Sequence, residues 1–598
     1  MSSEIKACQN CKQNFTIEPE DFEFYEKIKV PAPTFCPECR LIRRIAWRNE
    51  SNLYRRRDSL TGKLIFSTIS DSSPVKVYER DFWWSDGWDP TVYGRNYDFS
   101  RPFFEQLKEL LGEVPWFSRS VINLVNSNYC GNAAGLKNCY LIFNANEDED
   151  CAYGVSVDYS KDCFDNYKVR NSELCHGNSA LNKCYRTFFS SHCFNCQDVY
   201  FSQNLNNCHN CFGCAGLRNK EYYIFNESYS KDDYFKKLEQ FNLGSYKNKL
   251  ELEEKAKNFW LKFPHKFSHG THSSNVSGDY IDNSKNIFNS FTIFEAENCK
   301  YCFDLSVPTT KDSYDYSIYG ENAELIYEAI QVGMGAYNVK FCCRSYPNCR
   351  DFEYSMMCSS SSNLFACIGL RNKQYCILNK QYTKEEYEQL VPKIIEHMNN
   401  MPYIDKKGRI YKYGEFFPPE LSPFSYNETI AQEYFPLTKE QAIEQGYSWK
   451  DPEERNITIT IKSEELPDHI KDVKDDILTQ VIECQHNNQN CNEQCTTAFK
   501  IIPQELEFYK KMNLPLPRLC PNCRHYQRIK QRNPLKLWHR QCQCNGLTGN
   551  NPNNPNIYQN TITHTHGTEP CPNEFETTYS PDRKEIVYCE ACYNQEVA

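Results

Sequence analysis

The sequence predicts a mostly β protein. A central parallel β-solenoid in two duplicated halves, each closed by a helix, stands between cysteine-rich modules at the two ends of the chain. Three observations predict this. Eleven cysteines lie between 130 and 214 (130, 139, 151, 163, 175, 184, 193, 196, 208, 211 and 214), and every gap is a multiple of three, most of them 9 or 12. The stretch "CAGLRNKEYYIFNESYSKDDY" from Cys214 returns as "CIGLRNKQYCILNKQYTKEEY" from Cys367, 153 residues later. Near the start, "FTIEPEDFEFYEKIKVPAPTFCPECR" has a near copy towards the end, "FKIIPQELEFYKKMNLPLPRLCPNCR".

The solenoid follows from the first observation. A helix turning every 3.6 residues does not space cysteines in threes, whereas short units stacked in register do. The units read "KNCYLIF", "KDCFDNY", "NKCYRTF" and "SHCFNCQ": polar turn residues, a cysteine, then an aromatic. Cys349, Cys358, Cys367 and Cys376 continue the pattern at gaps of nine. Two units would make a coil of about 18–24 residues, with the cysteines as an inward ladder of small side chains and Asn and Asp at the corners. Cysteines facing a dry core read as inert packing. After each copy, "YSKDDYFKKL" and "YTKEEYEQLVPKIIEHM" open with Ser/Thr-x-x-Asp/Glu, a helix N-terminus pattern. The first runs on as a charged helical segment to about 262, and a short strand is expected near "NITITIK".

The ends carry paired cysteines: Cys8 and Cys11 with Cys36 and Cys39, then Cys491 and Cys495 with Cys520 and Cys523. In each case 25 residues separate the inner cysteines, Cys11 to Cys36 and Cys495 to Cys520. Two short knuckles at this separation, the second opening a helix, supply the four tetrahedral thiolates that zinc takes. Cys484 is a rival for Cys491. Past the knuckles, Leu53-Tyr54-Arg55-Arg56 aligns with Leu537-Trp538-His539-Arg540, and "LTG" follows in both copies. In the later copy Cys571, Cys589 and Cys592 then form a further zinc set with Cys544, for which Cys542 is the rival. In the earlier copy Glu79 and Phe82 stand at matching positions, followed by "WWSDGW", so aromatics replace the metal there. About three zinc ions per chain are expected.

Behind the second knuckle, Arg40, Arg44 and Arg48 recur as Arg524, Arg528 and Arg532, at i, i+4, i+8. Residues 40–57 hold seven Arg and one acid. The net charge is −10, so no global field draws nucleic acid, and a site for it must be a local patch. These stripes, interleaved with Trp47, Tyr54, Tyr526 and Trp538, suit phosphate contact and base stacking on RNA. Their other reading is a solvated helix face, or pairing with the abundant Asp and Glu elsewhere in the chain.

The whole chain is 40% hydrophobic and 24% charged, which fits a soluble globular protein. No basic-then-apolar leader and no membrane-length apolar run is present, so a cytoplasmic protein without a membrane role is expected. Boundaries are expected near 1–60 (first ribbon), 61–120 (degenerate second zinc site and helix), 121–229 and 271–382 (solenoid halves), 230–270 (helical insertion), 383–400 (closing helix), 401–480 (linker), 481–541 (second ribbon) and 542–598 (third zinc site).

The motifs C-x2-C-x3-F, a central E-F-Y, and P-x-P-x-x-C-P-x-C-R resemble the treble-clef type of zinc ribbon over about 35 residues at each end. The whole order, with "GEFFPPELSPFSYNETIAQEYFPLTKEQA" and a terminal "EIVYCEACYNQEV", is similar to uncharacterised Cys-rich zinc-ribbon proteins of bacteria with reduced genomes. The resemblance implies structural zinc and no activity.

Two functions fit. One is a non-enzymatic zinc scaffold, docking on RNA or a nucleoprotein through the basic helices or on another protein through the solenoid face. The other is a polymer-processing, carbohydrate-active enzyme with carboxylates from 148–173 converging on a solenoid groove. No phosphate loop, HExxH or nucleophile elbow occurs, and no catalytic residue is assigned. His265, His269 and His272, spaced H-x3-H-x2-H, offer a metal or acid–base site on one loop.

Overall fold

The computed structural model describes residues 2–451, 457–486, 493–548 and 558–597. The chain divides into two units: Met1–Arg119 with Ser268–Lys450 and Leu535–Leu537, and Ser120–Phe267 with Asp451–Pro534 and Trp538–Ala598. Each unit therefore joins a terminal module to the solenoid half that is distant in sequence. The N-terminal module belongs with the second half, and the C-terminal modules belong with the first.

In the second unit the strands Tyr140–Asn146, Ala152–Asp158, Tyr167–Arg170 and Ser179–Asn182 stack in parallel. Each residue pairs with the one a dozen places further on, as in Tyr140↔Ala152, Val155↔Tyr167 and Tyr167↔Ser179. The coil is thus shorter than the spacing of the units predicts. The reason is a corner at every third residue. Asn138, Leu141, Asn144, Glu147 and Asp150 all have φ between 52° and 55°, the left-handed region that turns the chain sharply. The residue after each corner faces inward: Cys139, Ile142, Ala145, Asp148 and Cys151 are buried. A four-sided coil this narrow admits inward side chains no larger than Leu or Ile in its apolar core cluster, and the small cysteine recurs there.

Asn and Asp tolerate the left-handed region, whereas Leu141, Tyr153 or Leu174 is held there at a cost of about 1–2 kcal/mol each. The inter-coil ladder offsets this. Leu174 N–H donates to Lys161 O (3.1 Å) and Tyr159 N–H to Asn146 O (2.8 Å). Inward hydroxyls pair amides just after the corners: Ser172 N–H donates to Ser160 Oγ (3.3 Å) and Cys184 N–H to Ser172 Oγ (3.1 Å). Outside, Asn126, Asn138 and Asp150 form an amide ladder with 3.1 Å steps.

The first unit's solenoid half is less regular. Ile287 pairs with Cys299 at the same spacing as in the other half, but Ile326 pairs with Val339 and Ala296 with Thr310, so these coils carry one and two extra residues. The expected closing helices are Lys231–Gln240, capped by Ser230, and Lys384–Asn400, with a Thr383/Glu386 capping box. A further helix spans Tyr246–Trp260.

Two expectations are corrected here. Residues 401–450 pack into the first unit's core instead of acting as a linker. Tyr411, Phe416, Phe417 and Tyr426 are buried, and Trp47 lies 5.0 Å from Phe417, because this stretch is too aromatic to remain solvated. The strand expected at "NITITIK" is reduced to one bridge, Ile461↔Ile482.

Candidate metal centres

The N-terminal module is a hairpin, Glu4–Ala7 with Asn14–Ile17, followed by helices Pro19–Lys27 and Pro37–Ile45. Cys36 caps the second helix, and Cys8, Cys11, Cys36 and Cys39 converge with their sulfurs within 4.8 Å of one another. In the second unit Cys484, Cys495, Cys520 and Cys523 converge in the same way, with Cys520 capping helix Pro521–Ile529. Cys491 lies outside the described residues, and its rival Cys484 occupies the fourth corner. A third set joins Cys542, Cys571, Cys589 and Cys592. Here Cys542 takes the place expected for Cys544, because strand Trp538–Gln541 delivers the residue directly after it to the knuckle.

One hydrogen bond recurs in all three sets. The third cysteine's N–H donates to the first cysteine's sulfur: Cys36 to Cys8, Cys520 to Cys484 and Cys589 to Cys542, each at 3.2 Å. The donor sets fit a tetrahedral ion. Zinc–sulfur bonds of about 2.3 Å place sulfurs about 3.8 Å apart. The pairs Cys11–Cys36, Cys484–Cys523 and Cys571–Cys589 are 3.7, 3.9 and 3.9 Å apart. Sulfur–hydrogen donation from Cys36 and Cys39 holds the Cys8 thiol well below the ordinary range, and Cys484 and Cys495 do the same for Cys520. A fourth group of cysteine and histidine donors is Cys544, His564, His566 and Cys592. Sequence reasoning misses these histidines, although "THTHG" carries the signal.

The N-terminal copy of the third set has no metal group among the described residues. Hairpin Tyr54–Arg57/Leu64–Ser67 matches Trp538–Gln541/Glu574–Thr577 in register, so Asp58 stands where Cys542 does. Glu79 N–H donates to Asp58 Oδ2 (2.6 Å), as Cys589 N–H does to Cys542. Asp58 also accepts from Leu60 N–H (2.9 Å) and Thr61 N–H (2.6 Å). A carboxylate thus staples this copy, beside the expected aromatics: Trp83 is buried 4.8 Å from Trp84 and 5.2 Å from Phe117. Asp58→Ala should cost about 1–3 kcal/mol by orphaning these amides, and should raise hydrogen exchange at 58–84 while leaving metal content unchanged.

The arginine stripes are corrected by their burial. Helix Pro37–Ile45 lies on the strands Thr310–Tyr319 and Ala323–Val332. There Arg40 and Arg44 share Asp315 (2.8 and 2.9 Å), and Arg43 bridges Glu328 (2.9 Å) and Glu415 (3.0 Å). The Arg40, Arg44 and Asp315 side chains are all 1% exposed or less. Burial disfavours the charge on Arg40, and Asp315 together with Tyr25 and Tyr327 more than restores it. Arg48, past the helix end, pairs with Glu50 (2.6 Å). The second unit repeats the arrangement. Arg524 and Arg528 meet at the buried Asp165, Arg528 at 3.0 Å, while Arg532 caps Tyr167 OH (2.9 Å). The EFY motif docks beside each stripe, with Phe24 stacked on Tyr314 (3.9 Å) and Phe508 tilted against Phe164 (4.6 Å). The helix face is therefore spent on the solenoid wall, whose acids sit at left-handed corners, Asp165 at φ 57° and Asp315 at φ 52°.

Next to Asp165, His176 is buried against Tyr509 (5.3 Å). Burial pushes its pKa down to about 3, although Asp165 opposes this. A histidine kept neutral in the fold binds its proton only on unfolding, so stability falls as pH drops from about 6.5 towards 3. The unfolding free energy from urea titration should fall between pH 7 and pH 5, by up to about 1.4 kcal/mol per pH unit for this group, and less in His176→Asn.

Other expected sites do not assemble. The acids of 148–173 diverge: Asp148 faces the solenoid interior, Asp158 pairs with Arg170 (3.0 Å), and Glu149 meets Lys137 (2.6 Å). His269 bonds Asp279 (3.0 Å), His265 sits in a strand paired with Ile586–Tyr588, and among the described residues no metal group unites these histidines. Ladder thiols donate to backbone carbonyls, as Cys151 does to Glu149 O (3.3 Å), and burial pushes Cys358 up to about 12. No described helix is long and apolar enough to cross a membrane. The chain matches no known family model and no curated protein, so its resemblance to zinc-ribbon proteins rests on its motifs.

Proposed function

We propose that the protein is a zinc-binding, non-enzymatic scaffold in which metal-nucleated modules grip β-solenoids that present a repetitive surface to a protein partner. One observation carries the reading. The basic helix behind the second knuckle is buried against solenoid carboxylates in both units, so the modules are built to hold the solenoid. The partner surface is the outer ladder, where Lys137, Glu149 and Lys161 alternate in charge and Tyr159 and Phe194 are exposed. The overall charge of −10 and the internal use of Arg40, Arg44, Arg524 and Arg528 weigh against RNA as the primary ligand.

The test is affinity capture of the full chain from its own cell lysate, with and without nuclease. The expected result is a discrete set of proteins that survives nuclease and is lost when Tyr159 and Phe194 are changed to Glu. Loss of every partner on nuclease treatment, with RNA recovered in the untreated sample, would overturn the reading.

A further inference from the structure

The Cys544 group differs from the three all-sulfur sets, and its hydrogen bonding reveals the direction of every lone pair. His566 Nδ1 lies 2.7 Å from the Glu569 carbonyl oxygen, which only accepts, so Nδ1 carries the proton and Nε2 the lone pair. That Nε2 faces Cys592 Sγ at 3.4 Å. His564 Nε2 lies 3.0 Å from the Glu596 carboxylate, so its proton sits there, and its bare Nδ1 faces Cys544 Sγ at 3.3 Å. Two imidazole lone pairs and two sulfurs therefore point at one another, all four atoms within 4.8 Å. With zinc–sulfur bonds of about 2.3 Å and zinc–nitrogen bonds of about 2.0–2.1 Å, tetrahedral coordination sets sulfur and nitrogen roughly 3.5 Å apart, close to both distances.

The outer contacts are those that metal-bound histidines use. One imidazole donates to a carboxylate and the other to a backbone carbonyl, which fixes tautomer and ring orientation. Glu596 is itself held by Tyr558 OH (2.6 Å) and Thr561 N–H (2.7 Å), and its side chain is 1% exposed. A buried carboxylate with only neutral donors is costly, and a cation behind His564 compensates it. Asn560 Nδ2 donates to Cys544 Sγ (3.2 Å), as a thiolate would accept.

Cys592 also belongs to the Cys542, Cys571, Cys589 set. We infer that the C-terminal module holds a two-metal cluster bridged by the Cys592 thiolate, with one ion on Cys542, Cys571, Cys589 and Cys592 and a second on Cys544, His564, His566 and Cys592. The donor chemistry selects zinc or another borderline-soft divalent ion. The second ion ties the 558–571 segment to helix Glu590–Val597, which the all-sulfur ion reaches through Cys592 alone. The inference rests on the cysteine groups being metal sites.

Native mass spectrometry of the full chain in excess zinc tests it. Wild type is expected to carry four ions. His566→Ala changes the least buried ligand and should leave three, and Cys592→Ala should leave two. Three ions in wild type, unchanged by His566→Ala, would overturn the cluster, as would loss of a single ion in Cys592→Ala. No bound metal at all would instead overturn the reading of every cysteine group. If a variant fails to fold, cadmium-113 NMR of the wild type decides. The cluster predicts one signal in the mixed sulfur–nitrogen range, coupled through the bridging sulfur to an all-sulfur signal. Signals confined to the all-sulfur range would sink it.

Discussion

Replacing Asp315 with alanine should destabilise the protein by about 3–5 kcal/mol, the loss expected when one partner of a buried ion pair is removed. Asp315 has no exposed side-chain surface and holds both Arg40 (2.8 Å) and Arg44 (2.9 Å). Its removal leaves two guanidinium groups facing each other, with Glu328 at 3.7 and 3.4 Å as their remaining carboxylate. Asp165→Ala should act similarly on Arg524 and Arg528 in the second unit. Combining Asp315→Leu with Arg40→Met and Arg44→Leu should recover most of the loss, because a buried ion network and a well-packed apolar one are often close in free energy. Denaturant midpoints of the single and triple variants measure this. A single-variant loss below about 1 kcal/mol, the value of a solvated surface pair, would show that the helix does not dock on the solenoid through these arginines.

Removing metal at neutral pH should have the larger effect. Structural zinc in small modules contributes an apparent 10–16 kcal/mol at about pH 7. Exhaustive chelation should lower the thermal midpoint by about 10 °C or more. It should also shift tryptophan emission to the red as Trp47, fully buried beside the first module, meets water. The far-UV β signal should persist longer, since the solenoid is held by its inter-coil ladder and not by metal. Cys36→Ser and Cys520→Ser should each reproduce part of the change and lower metal content by one ion. A metal-free chain with an unchanged midpoint and emission would leave the knuckle cysteines as ordinary packing.

Much of this is legible in the residues. Cysteine gaps in multiples of three are a direct image of a corner at every third residue. Without the corner geometry the coil length stays ambiguous, and pairing the units overshoots the ring that four three-residue sides close. Knuckle spacing locates the sets around Cys8 and Cys520. It does not choose Cys542 over Cys544, because both follow one strand, and two residues of separation decide which cluster each thiol enters. His564 and His566 do not stand out as ligands since the partners of His564, Cys544 and Glu596, are 20 and 32 residues away.

The arginine stripe shows the division most plainly. Local features are legible directly in the residues: ladder period, knuckles, helix caps, and three arginines on one helical face. Those depend on neighbours within a few residues, where backbone geometry fixes what spacing means. Which way the face turns depends on the folded chain, because the compensating acids, Asp315 and Asp165, lie 275 and 359 residues away from Arg40 and Arg524. The same long-range charge complementarity joins each terminal module to the solenoid half remote from it in the chain.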